Sequence, residues 1–213
     1  MSFYTSLNGL KNAQTDLGVI AHNIANVETT GFKKASTQFA DIVAGSAQTN
    51  PRMINGIGAT VEAITQNFSL GPIEQTGSAL NLAITGDGFF SMRSADSGRT
   101  LFTRNGDFGI DETGFITDGG VNRLQVLPTD ATGAVTSNTP VDAQIARTNA
   151  GGAEFVGVVV GSNGLVSASY ADGSVEPVGV VALASFIAPT GLKQVGSSNW
   201  EATGLSGAAT YGE

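Results

Sequence analysis

The sequence predicts a mainly β protein: an N-terminal α-helix of coiled-coil type, then a turn-rich antiparallel β domain. Three observations carry this. Apolar residues recur at helical spacing over the first 27 residues and nowhere else. From about residue 57 the apolar runs are short, many alternate with polar residues, and Asn-Gly and Asp-Gly pairs separate them. The 213 residues include 29 glycines and 6 prolines. That is roughly twice the usual glycine share, which suits many tight turns.

Phe3, Leu7, Leu10, Gln14, Leu17, Ala21 and Ile24 follow spacings of 4, 3, 4, 3, 4 and 3. This is the a/d seam of a heptad repeat. Gly9 and Gly18 each weaken the helix by about 1 kcal/mol, and no proline interrupts it. A helix of this length with two glycines is marginal alone in water. Packing on the chain's own domain and coiled-coil pairing both satisfy such a seam; its regularity favours the second. Residues 26–50 read as a connection. Gly31 ends the helical pattern with a residue suited to positive φ. Lys33 and Lys34 read as a solvated surface, and Phe39, Ile42 and Val43 as a short turn packed on the domain.

Thr60, Val61, Ala63, Ile64 and Thr65 form the first strand candidate, and the alternation of Leu80, Leu82 and Ile84 the next. Residues 101–110 read as a hairpin with Asn105-Gly106 as a type I′ turn. That register places Leu101 opposite Ile110 and Thr103 opposite Phe108. The turn 111–114 leads to Phe115-Ile116, and Asp118-Gly119-Gly120 to Leu124, Val126 and Leu127. Residues 128–152 read as loops with a short strand at 141–145. Asn163-Gly164 folds 155–160 back onto 165–170, and Asp172-Gly173 makes a further hairpin with Tyr170 opposite Val175. The run 178–187 is too continuously apolar for one wet face and reads as a central strand. The expected organisation is an assembly helix (1–27), a connecting segment (28–56), a β-rich domain (57–200) and a tail (201–213).

Ten basic against 18 acidic residues give a net charge of -8 and a pI of about 4.5. A nucleic-acid binder needs a basic face to displace counterions, so none is expected. Mean hydropathy of +0.10 argues against wholesale disorder. The longest apolar stretch, 178–189, is too short to span a bilayer, so no membrane insertion is expected. The N-terminus lacks the basic and apolar regions of a cleaved signal.

The absence of cysteine removes disulfides, thiolate metal sites and cysteine nucleophiles, and there is one histidine, His22. His22 reads as a helix-flank packing or surface residue. Gly86-Asp87-Gly88 has two glycines of a dinucleotide fingerprint but lacks the third and the following helix. Asp107, Asp111 and Asp118 do not match a calcium loop and read as turn aspartates. No cofactor, metal or catalytic residue is expected. The competing reading, a carbohydrate-binding or hydrolytic β domain, needs an aromatic platform or a paired carboxylate. One Trp and three Tyr offer no convergent cluster.

The segment Ala21-His22-Asn23-Ile24-Ala25-Asn26-Val27-Glu28-Thr29-Thr30-Gly31-Phe32-Lys33-Lys34 resembles the N-terminal signature of the bacterial flagellar hook and rod protein family. Residues 80–90 (LNLAITGDGFF) resemble its strand leading into a Gly-x-Gly-Phe-Phe element. Residues 102–124 resemble its F-T-R-x-G-x-F-x-x-D-x-x-G block. Pro189, Gly191, Leu192, Gly196, Asn199, Trp200, Thr203 and Gly207 are similar to its late block. The resemblance spans nearly the whole chain in family order. Met1-Ser2-Phe3-Tyr4, Phe39-Ala40-Asp41-Ile42 and Ile64-Thr65-Gln66-Asn67-Phe68 resemble the hook branch. The short chain, and the direct passage from 145 to 155 without a large outer domain, resemble the rod branch.

The resemblance implies a non-enzymatic subunit of the flagellar hook, with a basal-body rod subunit as the alternative, exported unfolded by the flagellar type III apparatus and stacked into a helical homopolymer that transmits motor torque to the filament. Implied partners are other copies and the rod, hook-cap and hook–filament junction proteins. Implied assembly residues are Phe3, Leu7, Leu10, Leu17 and Ile24 on the seam, with Asn23, Asn26, Gly31, Phe32 and Lys33 beyond it. Family members close with a helix that pairs with the first; none is readable before Glu213, so a fragment is expected.

Overall fold

The computed structural model describes residues 2–44, 55–119 and 121–212. Part of the expected connecting segment (45–54), Gly120 of one expected turn, and the terminal Met1 and Glu213 lie outside the described residues. The chain divides into two compact units, Met1–Ser69 and Leu70–Glu213.

In the first unit the seam period yields α1 (Ser2–Ala25). β1 (Ala35–Ala44) and β2 (Asn55–Gln66) then pair antiparallel from Ala35↔Gln66 to Ala44↔Asn55. This corrects two expectations. Phe39, Ile42 and Val43 are ladder residues of β1, not a turn. β2, expected to open the β-rich domain at 57, belongs to the helix-bearing unit because its hydrogen-bonding partner is β1. The boundary therefore falls after Ser69.

In the second unit the strands are β3 (Phe89–Ser94), β4 (Thr100–Thr103), β5 (Gly109–Ile110), β6 (Ile116–Thr117), β7 (Asn122–Leu127), β8 (Val141–Asp142), β9 (Phe155–Val160), β10 (Leu165–Tyr170), β11 (Val175–Val181), β12 (Leu183–Ser185), β13 (Lys193–Gly196), β14 (Asn199–Glu201) and β15 (Thr210–Gly212). The main sheet runs β13-β14-β4-β3-β7-β11-β10-β9. β12 joins β3 to β15, while β6 and β8 attach to β7. The core gathers Phe90, Met92, Phe108, Ile116, Leu124 and Val166 with their neighbours. A second cluster stacks Phe89 edge-on against Trp200 and Phe186, both at 5.8 Å, with Phe102 4.8 Å from Phe186. Edge-to-face geometry suits the ring quadrupoles.

The expected 101–110 hairpin is absent. Phe102 pairs with Ser91 and Trp200, and Ile110 with Ile116. Neither Asn105 nor Gly106 has positive φ, so no type I′ turn forms. Side chains bend the backbone instead. Thr103 Oγ1 accepts from the Asn105 amide (3.0 Å), and Asn105 Oδ1 accepts from the Asp107 amide (3.1 Å). Gly106 is used for close approach. Its carbonyl accepts from the Leu82 amide at 2.8 Å. A Cβ there would overlap the Leu82 carbonyl oxygen and lie 2.7 Å from its carbon.

Other differences are smaller. Leu80, Leu82 and Ile84 pack on the core without forming a strand; an isolated bridge joins Asn81 to Asp107. Val175 faces Ser169, not Tyr170. The Tyr170 amide bonds Ser174 O and closes the turn one residue earlier. The 178–187 run is buried at Val180, Val181, Ala182 and Ala184 and half-buried at Leu183, but breaks at Ala182 into β11 and β12, and Ile187 is exposed. The Asn163-Gly164 turn forms as expected, with Val160 opposite Val166 and Gly164 at φ 76°.

Candidate assembly surface

The first unit turns the usual helix arrangement around. The half-buried positions of α1 are Asn8, Asn12, Asp16, Val19 and Asn23, and the stripe continues to Asn26 beyond the helix. The seam faces outward: Phe3 is 73% exposed, Ile24 68% and even Leu7 37%, with Leu10 and Leu17 also exposed. At about 100° per residue the two sets occupy arcs whose centres lie about 170° apart. The helix therefore lays a polar stripe on its own hairpin and presents its apolar stripe to the surroundings.

Hydrogen bonds explain the inversion. Asn12 Nδ2 donates to Ala59 O at 2.7 Å, and Asn8 Nδ2 to the same oxygen at 3.3 Å. Thr5 Oγ1 donates to Ile57 O at 3.3 Å. Asn23 grips the start of β1 with both ends of its amide: Nδ2 donates to Ala35 O at 2.8 Å, and Oδ1 accepts from the Ala35 amide at 2.9 Å. These side chains bind strand backbone groups, which are costly to leave unmet away from water.

The remaining expected residues form the turn that links helix to hairpin. Asn26 Nδ2 donates to His22 O at 2.9 Å, which satisfies a carbonyl near the helix end. Gly31 has φ 72°, as the sequence requires. Phe32 is half-buried with its ring 5.5 Å from His22, edge-on. Lys33 is half-buried and donates from Nζ to Ser69 O at 2.9 Å, so it tethers the unit rather than forming a free basic patch. The expected seam residues thus lie together on one face, whereas Asn23, Asn26, Gly31, Phe32 and Lys33 serve the unit's internal construction. The sequence reading missed Thr5, Asn8 and Asn12. The available signal was Asn8 and Asn12 at i, i+4, in line with Asp16 and Val19.

The hairpin adds Phe39, Val43, Ile57 and Ile64 to the exposed apolar surface. In this unit Lys11, Lys33, Lys34 and Arg52 balance Asp16, Glu28, Asp41 and Glu62, so the whole charge of -8 belongs to Leu70–Glu213.

In the second unit a groove of about 690 Å³ lies beside Leu82, Ile84, Asp87, Phe90, Asn163 and Leu183, and among the described residues that line it Asp87 is the one titratable group. No group of three metal-ligating side chains occurs among the described residues. Asp111, Asp130 and Asp172 hold their loops. Each carboxylate lies below the usual range, first because Thr113, Thr132 and Ser174 donate side-chain hydrogen bonds to them, and then through backbone amides. Asp118 accepts hydrogen bonds from the Asn122 backbone amide at 3.0 Å and from Asn122 Nδ2 at 2.8 Å.

Two family profiles match the chain. One, the flagellar hook protein FlgE/F/G D1 domain, covers residues 83–168; the other, the flagella basal body rod protein, covers 3–33. The basal-body rod protein FlgG of Bacillus subtilis is 34% identical over 98% of this chain and 76% of its own length. FlgG of Agrobacterium fabrum is 30% identical over 96% of this chain and 74% of its own. The flagellar hook protein FlgE of Salmonella typhimurium is 42% identical over 112 residues, 53% of this chain and 26% of its own.

Proposed function

The chain belongs to the flagellar hook and basal-body rod protein family, and from that premise we propose that it is a self-assembling, non-catalytic subunit of the flagellar axial tube. The outward seam of α1 carries this reading. Five large apolar side chains on one face of a helix, with the opposite face already satisfied, form a surface that gains free energy only by association. Burying one such side chain contributes about 1.5–3 kcal/mol. Other copies and neighbouring axial proteins are the proposed mates. Stacking is head-to-tail, the mode that yields open helices rather than closed rings. The subunit reaches the flagellum through the type III export route without signal cleavage.

Within the family the hook assignment rests on the motifs at 1–4, 39–42 and 64–68, and on the 42% identity to a hook protein. The rod assignment has one specific observation in its favour, the alignment with FlgG over 98% of this chain. The test is assembly in cells lacking their own subunit. The chain enters purified hook–basal-body particles, and gold-labelled antibody locates it in hook or rod. Leu10→Glu with Leu17→Glu abolishes incorporation while the unfolding reported by Trp200 stays unchanged. Normal incorporation of that variant would refute the seam as the assembly surface.

A further inference from the structure

We infer that Asn8, Asn12 and Asn23 are positioning residues for assembly, which fix the rotation of α1 about its own axis so that the apolar seam points away from the hairpin. The inference rests on the tube-subunit reading for its purpose but not for its geometry. An amphipathic helix beside a hairpin ordinarily turns its apolar stripe inward. The hairpin has apolar side chains to meet it, since Ile42, Val61 and Ala63 are half-buried in this unit. What opposes that rotation is a row of amide side chains matched to strand backbone. Asn8 and Asn12 converge on Ala59 O of β2, and Asn23 binds both backbone groups of Ala35 at the start of β1. The contacts lie in the first half of the helix and near its C-terminal end, so together they define its angle as well as its position. Rotating the seam inward breaks all of them and leaves strand carbonyls facing leucine. Asparagine suits this task because one short side chain both donates and accepts, as Asn23 does. Alanine in its place removes the polar pairing without adding an apolar side chain to the hairpin-facing stripe, so the seam's own preference for the hairpin is no longer opposed.

The absence of cysteine from the chain makes the test direct. Single cysteines replace Val19, which faces the hairpin, and Ala13, which is exposed. Thiol labelling rates are read on the unassembled full chain. The cysteine at 19 labels about tenfold or more slowly than that at 13 in the parent. In Asn8→Ala/Asn12→Ala/Asn23→Ala the two rates converge with the 222 nm ellipticity retained. In Lys11→Leu, an exposed control on the same helix, they do not converge. Equal rates in the parent, a persistent difference in the triple variant, or convergence in the control overturn the inference. Convergence that comes with loss of helix also overturns it, because the asparagines then fold the helix rather than aim it. Labelling needs no polymer, so a failure here is distinct from a failure to assemble.

Discussion

Gly106→Ala tests how the second unit is held together. Gly106 has no positive φ, so alanine meets no backbone strain and the effect is purely one of space. The added Cβ collides with the Leu82 carbonyl, and two backbone segments must separate. Separation breaks the hydrogen bond from the Leu82 amide to Gly106 O, about 1 kcal/mol. It also lifts Leu80, Leu82 and Ile84 from the core they partly cover. Half-burial of three such side chains contributes about 3 kcal/mol, so the expected loss is about 3–4 kcal/mol. Trp200 is the single tryptophan and is fully buried, so its fluorescence in urea reports this unit alone. The m-value falls as well, because the native state then exposes the detached segment. Gly109→Ala is the control: nothing lies within 4 Å of its Cβ position, and its stability changes by less than about 0.5 kcal/mol. Equal stability of Gly106→Ala and the parent would refute the close-approach account.

Three further outcomes follow from local geometry. Ser197 and Ser198 occupy a two-residue turn at φ 50° and 55°; Ser197 is exposed, and Ser197→Gly raises stability by about 1 kcal/mol in the same urea assay. Gly31→Ala lowers the melting temperature of the helix-bearing unit followed at 222 nm, with a cost of about 1–2 kcal/mol at φ 72°, whereas Gly18→Ala raises it. The lowered carboxyls of Asp111, Asp130 and Asp172 stabilise the fold fully above the unfolded-state pKa of about 3.9. That contribution fades as pH falls through their lower folded values, so urea midpoints decline in that window. Replacing all three by Asn flattens the decline, and an unchanged slope refutes the assignment.

The helix was legible because a heptad spacing sustained from Phe3 to Ile24 fits a helix and no strand. Gly31 was legible because a break in period coincided with a residue free to take positive φ. The same dipeptide read correctly at Asn163-Gly164 and wrongly at Asn105-Gly106. At 163 the flanking runs pair with each other. At 105 the flanking segments pair elsewhere, with β3 and β14 on one side and β6 on the other, and Thr103 and Leu82 dictate the bend. β1 was missed because its partner β2 lies beyond residues 45–54, a separation longer than the two- to five-residue loops by which a hairpin is recognised in sequence. The asparagine stripe was unread because polar residues on a helix ordinarily face water, and only the hairpin's carbonyls give these a different role.

The segregation of charge has a consequence for how polymers of this chain respond to salt. The helix-bearing unit is neutral overall, and every net negative charge sits on the other one. If copies associate through the seam as proposed, their attraction is apolar and insensitive to screening, whereas repulsion between adjacent copies is electrostatic. Its reach is about 30 Å at 0.01 M ionic strength and about 10 Å at 0.1 M. Brine should thus tighten the lattice and dilution loosen it, the opposite of what a polymer cemented by ion pairs would do.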